Sequence, residues 1–326
     1  MPKANLSKIL IAGGYGVIGT HVAQQLRQRH PHVELLIAGR NPARGEALAE
    51  QLGHASTVAL DINSNHVPEE ARDVDIIVCA MPDPRHLLAE YAIANGIAYI
   101  NIAVANGDDV LPWLVASNPH NARRPIVPLG HYEAGSMLML VAHLARSFDR
   151  VDQVEMCALN DPSDWLGEMT SHALAEEPIP ALARYNGQWQ HETTPREIKL
   201  SDGSSALATP FQTLDAFSVY GLTRAHTIRF DVANGASIGT REKARASMEL
   251  YVEIEGVDQT GKALRMRAFA SDPQGQAHFT AFGVVNAIDA ICATSLGGVL
   301  FPEQILDCDL VLKAMGDAGI AIRELP

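Results

Sequence analysis

A glycine motif at the first junction between a strand and a helix constrains the fold of this chain more than any other feature. The apolar segment Lys8 to Ala12 is predicted to form a strand. It is followed by Gly14-Tyr15-Gly16-Val17-Ile18-Gly19, which opens a helical pattern reaching Arg29. Glycines at this spacing permit a tight turn and a close approach of backbone amides to a pyrophosphate, and the helix N-terminus supplies N–H donors. The motif predicts a dinucleotide-binding site.

Short apolar runs alternate with longer helical patterns over the first 130 residues. Continuous apolar runs are typical of strands buried on both faces of a parallel sheet. The predicted strands are Lys8 to Ala12, Glu34 to Ala38, Ser56 to Leu60, Asp75 to Cys79, Ala98 to Ile102 and Pro125 to Leu129. The predicted helices are Gly19 to Arg29, Ala43 to Leu52, Pro84 to Asn95 and Val110 to Ala116. This order indicates an α/β fold, a Rossmann domain with a doubly wound parallel sheet over residues 1–130.

The pattern of apolar residues changes after Gly130. An apolar helical pattern spans Ser136 to Ser147, and segments of alternating polarity come after it. Alternation predicts half-buried antiparallel strands, here at Thr227 to Val232, Met248 to Ile254 and Leu264 to Ala270. The stretch from Asp161 to Pro195, rich in Pro, Glu and Asn, is interpreted as a long loop with one or two helical turns. We therefore expect a second α+β domain with a mostly antiparallel sheet over residues 131–295.

The composition argues against two classes of binding partner, nucleic acids and membranes. The 326 residues carry a formal net charge of -13, whereas binding to nucleic acid or an anionic membrane requires clustered Lys and Arg. The longest apolar run, Ala281 to Leu300, contains Asn286 and Asp289, which favours a buried helix over a membrane span. We expect neither nucleic acid nor a membrane as a partner.

The cysteines and histidines indicate neither disulfides nor metal. The four cysteines are far apart and form no C-x-x-C pair, which is typical of reduced thiols in a cytoplasmic protein. The histidines lack metal-ligand spacing, so no metal site is expected.

The residues after the second predicted strand bear on the choice of cofactor. A domain specific for NAD usually ends this strand with Asp or Glu, which binds the ribose hydroxyls. Here Arg40 and Asn41 follow the strand instead. A guanidinium is permanently charged and presents forked donors suited to a 2'-phosphate. The pattern favours NADP, with NAD possible; the alternative roles of Arg40 are stacking on adenine and simple solvation.

Two further cofactor contacts are predicted from position alone. Asp61 ends the third predicted strand, where it either accepts from the adenine amino group or acts as a turn residue. Ala80, Met81 and Pro82 end the fourth predicted strand, on the side of the ribose and nicotinamide.

Several runs of this sequence resemble the saccharopine dehydrogenase-like NADP-binding family. The resemblance is carried by Ile11-Ala12-Gly13-Gly14-Tyr15-Gly16-Val17-Ile18-Gly19, Ala38-Gly39-Arg40-Asn41, Asp75-Ile76-Ile77-Val78 with Met81-Pro82, and Gly96-Ile97-Ala98-Tyr99-Ile100-Asn101. It continues more weakly through Tyr185-Asn186-Gly187-Gln188-Trp189, Gly297-Gly298-Val299 and Phe301-Pro302-Glu303.

The resemblance implies an architecture and a partner. It implies a second domain that carries dimer contacts and part of the substrate site, and hence a homodimer. It also implies that the C-terminal segment, residues 296–326, returns to the first domain. Asn101, where relatives often have Asp, joins the expected cofactor-binding residues. The chain departs from the family at Gly130-His131-Tyr132-Glu133-Ala134-Gly135, where relatives have Gly-x-Asp-Pro-Gly. This departure leaves the identity of the substrate open.

The resemblance also implies a reaction, in which hydride moves between NADP and a CH–NH (imine or amine) carbon of a small, amino-acid-like substrate. His131 and Glu133 are the candidates for handling the proton, because they follow the sixth predicted strand at the carboxyl edge of the sheet. A structural hydrogen bond is the alternative role of His131. Arg224 is the candidate clamp for a substrate carboxylate, with Arg241 and a surface ion pair as alternatives.

Two other functions are weighed against this oxidoreductase. A short-chain carbonyl reductase relies on Tyr-x-x-x-Lys, and no tyrosine here has Lys four positions later. A non-catalytic NADP-binding sensor or interaction protein stays open, because the sequence contains no convincing acid–base pair.

Overall fold

The chain forms two compact units in the computed structural model, which describes residues 6–64, 66–104, 107–117, 123–165, 167 and 180–325. Met1–Gly130 and Thr280–Leu306 make up the first unit, and His131–Phe279 and Asp307–Pro326 make up the second. Each unit contains its own sheet.

The first unit contains a seven-stranded parallel sheet. Its strands are β1 (Lys8–Ala12), β2 (Glu34–Gly39), β3 (Ala55–Ala59), β4 (Ile76–Cys79), β5 (Ala98–Asn101), β6 (Pro125–Pro128) and β15 (Gly298–Val299). Their order is β15-β6-β5-β4-β1-β2-β3, and every pair is parallel. The continuous apolar strands β1 and β4 are almost fully buried, as expected for strands covered on both faces. The predicted doubly wound parallel sheet is confirmed.

Helices connect the strands of this sheet. They are α1 (Val17–Arg29), α2 (Glu46–Leu52), α3 (Leu87–Asn95) and α4 (Gly107–Ala116). The strand order reverses between β1 and β4, because the chain first moves outward through β2 and β3 and then continues on the other side of β1. Ligands of open α/β sheets bind outside the carboxyl ends of the strands at such a switch point.

The second unit contains a mostly antiparallel sheet of nine strands. They are β7 (Phe148–Asn160), β8 (Ala181–Tyr185), β9 (Gln188–Glu192), β10 (Arg196–Lys199), β11 (Ser205–Pro210), β12 (Thr227–Asn234), β13 (Met248–Asp258), β14 (Ala263–Asp272) and β16 (Ala321–Leu325). The main order is β10-β11-β12-β7-β13-β14-β16, with β8 paired to β12 and β9. Only β12 and β7 run parallel among these described pairs. The predicted second α+β fold is confirmed.

Further helices complete the two units. They are α5 (Ser136–Ala145), α6 (Asp215–Thr223), α7 (Ile238–Arg241), α8 (Gln276–Ala293), α9 (Pro302–Ile305) and α10 (Cys308–Asp317). Helix α5 packs on β7, β13 and β14, where alternating apolar side chains such as Leu250, Val252 and Ile254 are buried. None of the helices in the described ranges is long and apolar enough to span a bilayer.

The structure differs from the sequence prediction in the stretch interpreted as a long loop. Residues 166 and 168–179 of that stretch lie outside the described residues, but β8 and β9 form a hairpin within it. Asn186 and Gly187 connect the two strands with φ of 48° and 84°. Asn-Gly is the preferred pair for a two-residue hairpin turn, because both positions need positive φ. The loop interpretation was therefore wrong for residues 181–192.

The C-terminal part of the chain is shared between the units. The short strand β15 pairs with β6 of the first sheet, whereas β16 pairs with β14 of the second sheet and α10 packs on α5. Residues 307–326 therefore group with the second unit, and residues 280–295 group with the first. From the sequence we expected a domain boundary at residue 295 and the return of residues 296–326 to the first domain. The grouping in the structure differs on both points.

Candidate functional site

The glycine motif lies at the switch point of the parallel sheet. The N–H groups of Gly13 and Gly14 donate to the Ala38 carbonyl, at 2.9 and 3.2 Å, which turns the chain sharply after β1. A Cβ atom added at Gly14 would lie 2.8 Å from the Ile11 carbonyl oxygen, and one at Gly19 would lie 2.2 Å from the Gly13 carbonyl oxygen. Side chains at these two positions would collide with backbone, so the turn requires glycine.

Helix α1 presents an open N-terminus at this turn. Gly16 precedes the helix and has no side chain that could cap it. The first turn begins with Val17, Ile18 and Gly19 and contains no acidic residue. The N–H groups of a first helical turn have no partner within the helix and attract anions. The residues present therefore fit a dinucleotide pyrophosphate.

Tyr15 connects the glycine turn to the end of β2. Its hydroxyl oxygen accepts a hydrogen bond from the Asn41 N–H at 3.0 Å. Its ring lies against Gly39, where an added Cβ atom would be 2.5 Å from ring atoms. The guanidinium of Arg44 lies over the same ring, 5.5 Å from its centroid. Arg40, next to Asn41 in the chain, and Arg44 are both exposed. Two positive charges therefore face solvent just after β2, the strand that ends with an acid in NAD-specific domains.

Arg44 is a residue that the sequence reasoning missed. It lies four positions after Arg40, in a short 3-10 turn at Pro42–Gly45 that follows Asn41. The basic residue was visible in the sequence, but only the turn brings it over Tyr15.

Asp61, the expected adenine contact, is exposed after β3 and forms a local turn. Its carboxylate accepts from the Asn63 N–H at 3.0 Å, and its carbonyl accepts from the Ser64 side chain at 2.7 Å. A turn role therefore accounts for this residue in the structure, and adenine binding stays a prediction.

Ala80, Met81 and Pro82 follow β4 on the other side of the glycine turn. The Ala80 carbonyl oxygen lies 2.9 Å from the position of a Cβ atom at Gly13, so the two loops touch. The Cys79 thiol donates to the Met81 carbonyl at 3.1 Å. Burial raises the pKa of this thiol to about 12, so it stays neutral.

Asn101 ends β5 and is buried. Its amide nitrogen donates to the Tyr99 hydroxyl at 2.9 Å, and its amide oxygen accepts from the Ala103 N–H at 2.7 Å. Burial raises the pKa of Tyr99 well above its ordinary value. These bonds give Asn101 a local structural role at the carboxyl edge of the sheet; cofactor binding by Asn101 stays a prediction.

His131 and Glu133, the expected proton-handling residues, are both buried in the second unit. The His131 Nε2 atom lies 2.8 Å from the Ser218 hydroxyl of α6. Glu133 and Ala134 adopt left-handed backbone conformations, with φ of 47° and 49°. Non-glycine residues adopt this conformation only when surrounding contacts hold them there.

Tyr132 is the anchor of this segment. Its N–H donates to the Asp215 carboxylate and its hydroxyl donates to the Asn160 side chain, both at 2.8 Å. Burial raises the pKa of Tyr132 well above its ordinary value, and the charge of Glu133 raises it further. The hydroxyl is thus a permanent donor to Asn160 and not a base.

Arg224, the expected carboxylate clamp, ends helix α6 with a left-handed φ of 58°. Its guanidinium is exposed and lies over the Tyr220 ring, 5.2 Å from the centroid. Arg241, the alternative, pairs with Asp202 at 3.3 Å. The roles of His131, Glu133 and Arg224 in catalysis stay predictions. Among the described residues, no cluster of three or more His, Cys, Asp or Glu side chains is arranged to hold a metal ion.

A family model matches much of the first unit. Residues 9–124 match the model described as the saccharopine dehydrogenase NADP binding domain. This part of the first unit is similar to that domain. The predicted resemblance is thereby confirmed, and the match supports a nicotinamide dinucleotide as the cofactor. No curated protein sequence matches the chain.

Solved structures share the fold of the whole chain. An apo saccharopine dehydrogenase (L-Glu forming) from Saccharomyces cerevisiae aligns with a TM-score of 0.67 at 13% identity, over 98% of this chain and 100% of that one. A homospermidine synthase from Legionella pneumophila in complex with NAD aligns with a TM-score of 0.66 at 10% identity, over 98% and 91%. An amine dehydrogenase from Mycobacterium smegmatis aligns with a TM-score of 0.56 at 13% identity, over 93% and 96%.

Proposed function

We propose that this protein is an NADP-dependent oxidoreductase that moves hydride to or from the CH–NH carbon of an amino-acid-derived substrate. The bound nicotinamide supplies the hydride chemistry. The chain supplies the cradle for the dinucleotide and the groups that orient the substrate and handle one proton.

The observation that carries the choice of NADP is the pair of exposed arginines around Tyr15. Arg40 and Arg44 stand where an acidic side chain would bind the ribose hydroxyls of NAD. A 2'-phosphate carries close to two negative charges, and two guanidinium groups offer it forked, charge-assisted hydrogen bonds. A carboxylate at this position would repel the same phosphate.

The choice of a CH–NH substrate rests on the family and on similar structures. The three solved structures carry the names of enzymes for saccharopine, homospermidine and an amine, and each of these compounds contains carbon–nitrogen single bonds. His131 or Glu133 is the proposed proton-handling residue, and Arg224 is the proposed clamp for a substrate carboxylate.

Calorimetric titration with NADPH and NADH at one salt concentration tests the cofactor choice. We expect wild-type protein to prefer NADPH. Arg40→Asp and Arg44→Ala should each weaken NADPH roughly tenfold to a hundredfold, because each removes a charge-assisted contact, and should change NADH much less. Arg72→Asp, an exposed charge change elsewhere in the same unit, is the control for overall charge. Equal losses for both nucleotides in the Arg40 variant would contradict the role at the 2'-phosphate.

One observation favours a second function, a non-catalytic NADP sensor. His131 and Glu133, the two candidates for handling the proton, are both buried. Turnover of any amine or imine with NADPH or NADP would exclude the sensor. Tight NADPH binding without turnover, together with a bound protein partner, would favour it.

Assembly and compartment are the remaining parts of the proposal. We expect a homodimer formed through the second unit, as the family resemblance implies, and sedimentation equilibrium at micromolar concentration tests it; a monomer would contradict it. The four cysteines, all within the described ranges, form no disulfide, in keeping with a proposed cytoplasmic location.

A further inference from the structure

The loop between β4 and α3 holds a histidine in an unusual conformation. His86 precedes α3 and has a left-handed backbone, with φ of 56° and ψ of 25°. A non-glycine residue in this region is strained, and such strain concentrates at functional sites where surrounding contacts enforce it.

The contacts that enforce this conformation come from both sides of the loop. Asp83 is buried, and its two carboxylate oxygens accept from the N–H groups of Leu87 and Leu88, each at 2.9 Å. The Arg85 guanidinium donates to the carbonyl oxygens of Ile62 and Ser64, at 2.9 and 2.6 Å. The loop is therefore fixed to the first turn of α3 and to the loop that follows β3.

The imidazole of His86 has a defined tautomer. The indole N–H of Trp113, a fully buried residue of α4, donates to the His86 Nδ1 atom at 3.0 Å. An indole N–H is only a donor, so Nδ1 is the unprotonated acceptor and the ring proton of the neutral imidazole is on Nε2. Trp113 is itself held by an edge contact with the Tyr99 ring, with centroids 5.5 Å apart.

The free end of this imidazole is an oriented donor. The His86 side chain is half-buried, and within the described ranges its Nε2 atom has no hydrogen-bond partner. A local structural role explains the bond at Nδ1 but leaves the Nε2–H group unexplained.

The position of this donor indicates which part of a dinucleotide it meets. The adenosine ribose lies at the end of β2 and the pyrophosphate lies at the start of α1, in a domain of this kind. The other half of the molecule then extends across the switch point, toward the carboxyl end of β4. His86 follows β4 on that side.

We propose that the Nε2–H of His86 donates a hydrogen bond to the nicotinamide riboside half of the bound dinucleotide, with Trp113 as the positioning residue that keeps the donor in place. The inference rests on the dinucleotide binding stated above. It assigns a cofactor-binding role to a histidine outside the glycine motif.

The test compares a whole dinucleotide with its adenosine half. His86→Asn is the informative variant, because Asn tolerates the left-handed backbone and its amide can still accept from Trp113, while the Nε2–H donor is lost. We expect His86→Asn to weaken NADPH roughly threefold to tenfold, as for one lost hydrogen bond. Its affinity for adenosine 2',5'-bisphosphate should equal that of wild type. NADH and ADP serve as the matching pair if the protein prefers NAD.

His54→Asn is the matched control. His54 is also left-handed, with φ of 48°, but it precedes β3 at the opposite, amino edge of the same sheet. This variant should bind all four nucleotides like wild type.

A second variant tests the positioning role without touching His86. Trp113→Phe keeps an aromatic ring but removes the indole N–H. Nitrogen-15 spectra of histidine-labelled protein should show the His86 ring proton moving partly from Nε2 to Nδ1, and NADPH should bind roughly threefold more weakly while the bisphosphate is unaffected.

The outcomes are distinct. Loss of affinity confined to the whole dinucleotide supports the proposal. Unchanged NADPH binding in His86→Asn overturns it, and so does an equal loss for NADPH and the bisphosphate, since the variant would then act by disturbing the domain. Wild-type protein that binds none of the four nucleotides would overturn the dinucleotide assignment itself.

Discussion

At the scale of single residues, the glycines of the motif are required for different reasons. A Cβ atom at Gly19 would lie 2.2 Å from the Gly13 carbonyl oxygen, whereas one at exposed Gly16 would lie 3.1 Å from the same atom. Position 19 therefore needs glycine for packing of α1 on the turn. Position 16 needs glycine far less for packing, and we propose close approach of the dinucleotide as its role there.

Gly19→Ala tests the packing requirement. We expect it to destabilise the protein by about 1–3 kcal/mol, as overpacked sites do, and to weaken NADPH by more than about tenfold because the turn must shift. Urea denaturation and calorimetry measure the two effects. Gly316→Ala in α10 is the control, since nothing lies within 4 Å of its added Cβ atom and alanine favours helix. A Gly19 variant with normal NADPH affinity would show that the turn tolerates a side chain.

At the scale of elements, contacts of Tyr15 connect the glycine turn to the end of β2. Tyr15 belongs to the turn, but its hydroxyl accepts from the Asn41 N–H and its ring lies on Gly39 of β2. The segment that carries Arg40 is thereby oriented from the neighbouring βα turn.

The Tyr15→Phe variant separates the contribution of the ring from that of the hydroxyl group. The ring keeps its packing on Gly39, but the Asn41 N–H loses its acceptor, so the arginines are less well oriented. We expect NADPH to bind roughly threefold to tenfold more weakly, as for one lost hydrogen bond, with little change for NADH. Isothermal titration measures both, and Tyr91→Phe on α3 serves as the control. The connection would have no role in cofactor choice if the two nucleotides weakened to the same extent.

At the scale of the whole molecule, both units contain carboxylates whose pKa is lowered by partners. Burial opposes ionisation of Asp289 in the first unit, but hydrogen bonding to His30 and the charge of Arg29 outweigh burial and lower its pKa. In the second unit, burial also opposes ionisation of Glu192, but hydrogen bonds from Thr194 and Tyr185 lower its pKa to about 2, from an ordinary 4.5.

A lowered carboxylate pKa predicts the direction of acid unfolding. Glu192 contributes stability that is fully present above the pKa of the unfolded chain, 4.5, and is lost as the pH falls toward 2. Glu192→Gln should therefore be less stable at pH 7, by roughly 3 kcal/mol at most, and should lose less stability between pH 4.5 and 2. Urea midpoints across this range measure both slopes. Glu50→Gln, an exposed change of the same charge, should follow wild type; identical slopes in the two variants would contradict the assignment.

Whether a feature could be predicted from the sequence depends on how close in the chain the interacting residues lie. The strands of the first sheet and the glycine motif were predictable because they rest on local periodicity and on backbone geometry within a few residues. The hairpin at Asn186 and Gly187 carried an equally local signal that the loop interpretation overlooked. The placement of Arg44 over Tyr15 could not be predicted in this way, because it depends on the 3-10 turn at Pro42–Gly45.

The sequence by itself determined that the chain contains a parallel dinucleotide-binding sheet and a second, mostly antiparallel sheet, because buried strands and glycine turns are encoded by neighbouring residues. Only the tertiary structure decided that β16 pairs with β14, that His131 meets Ser218, 87 positions later, and that Trp113 fixes the tautomer of His86. Such contacts depend on which faces meet when the elements pack, and local sequence does not specify those faces.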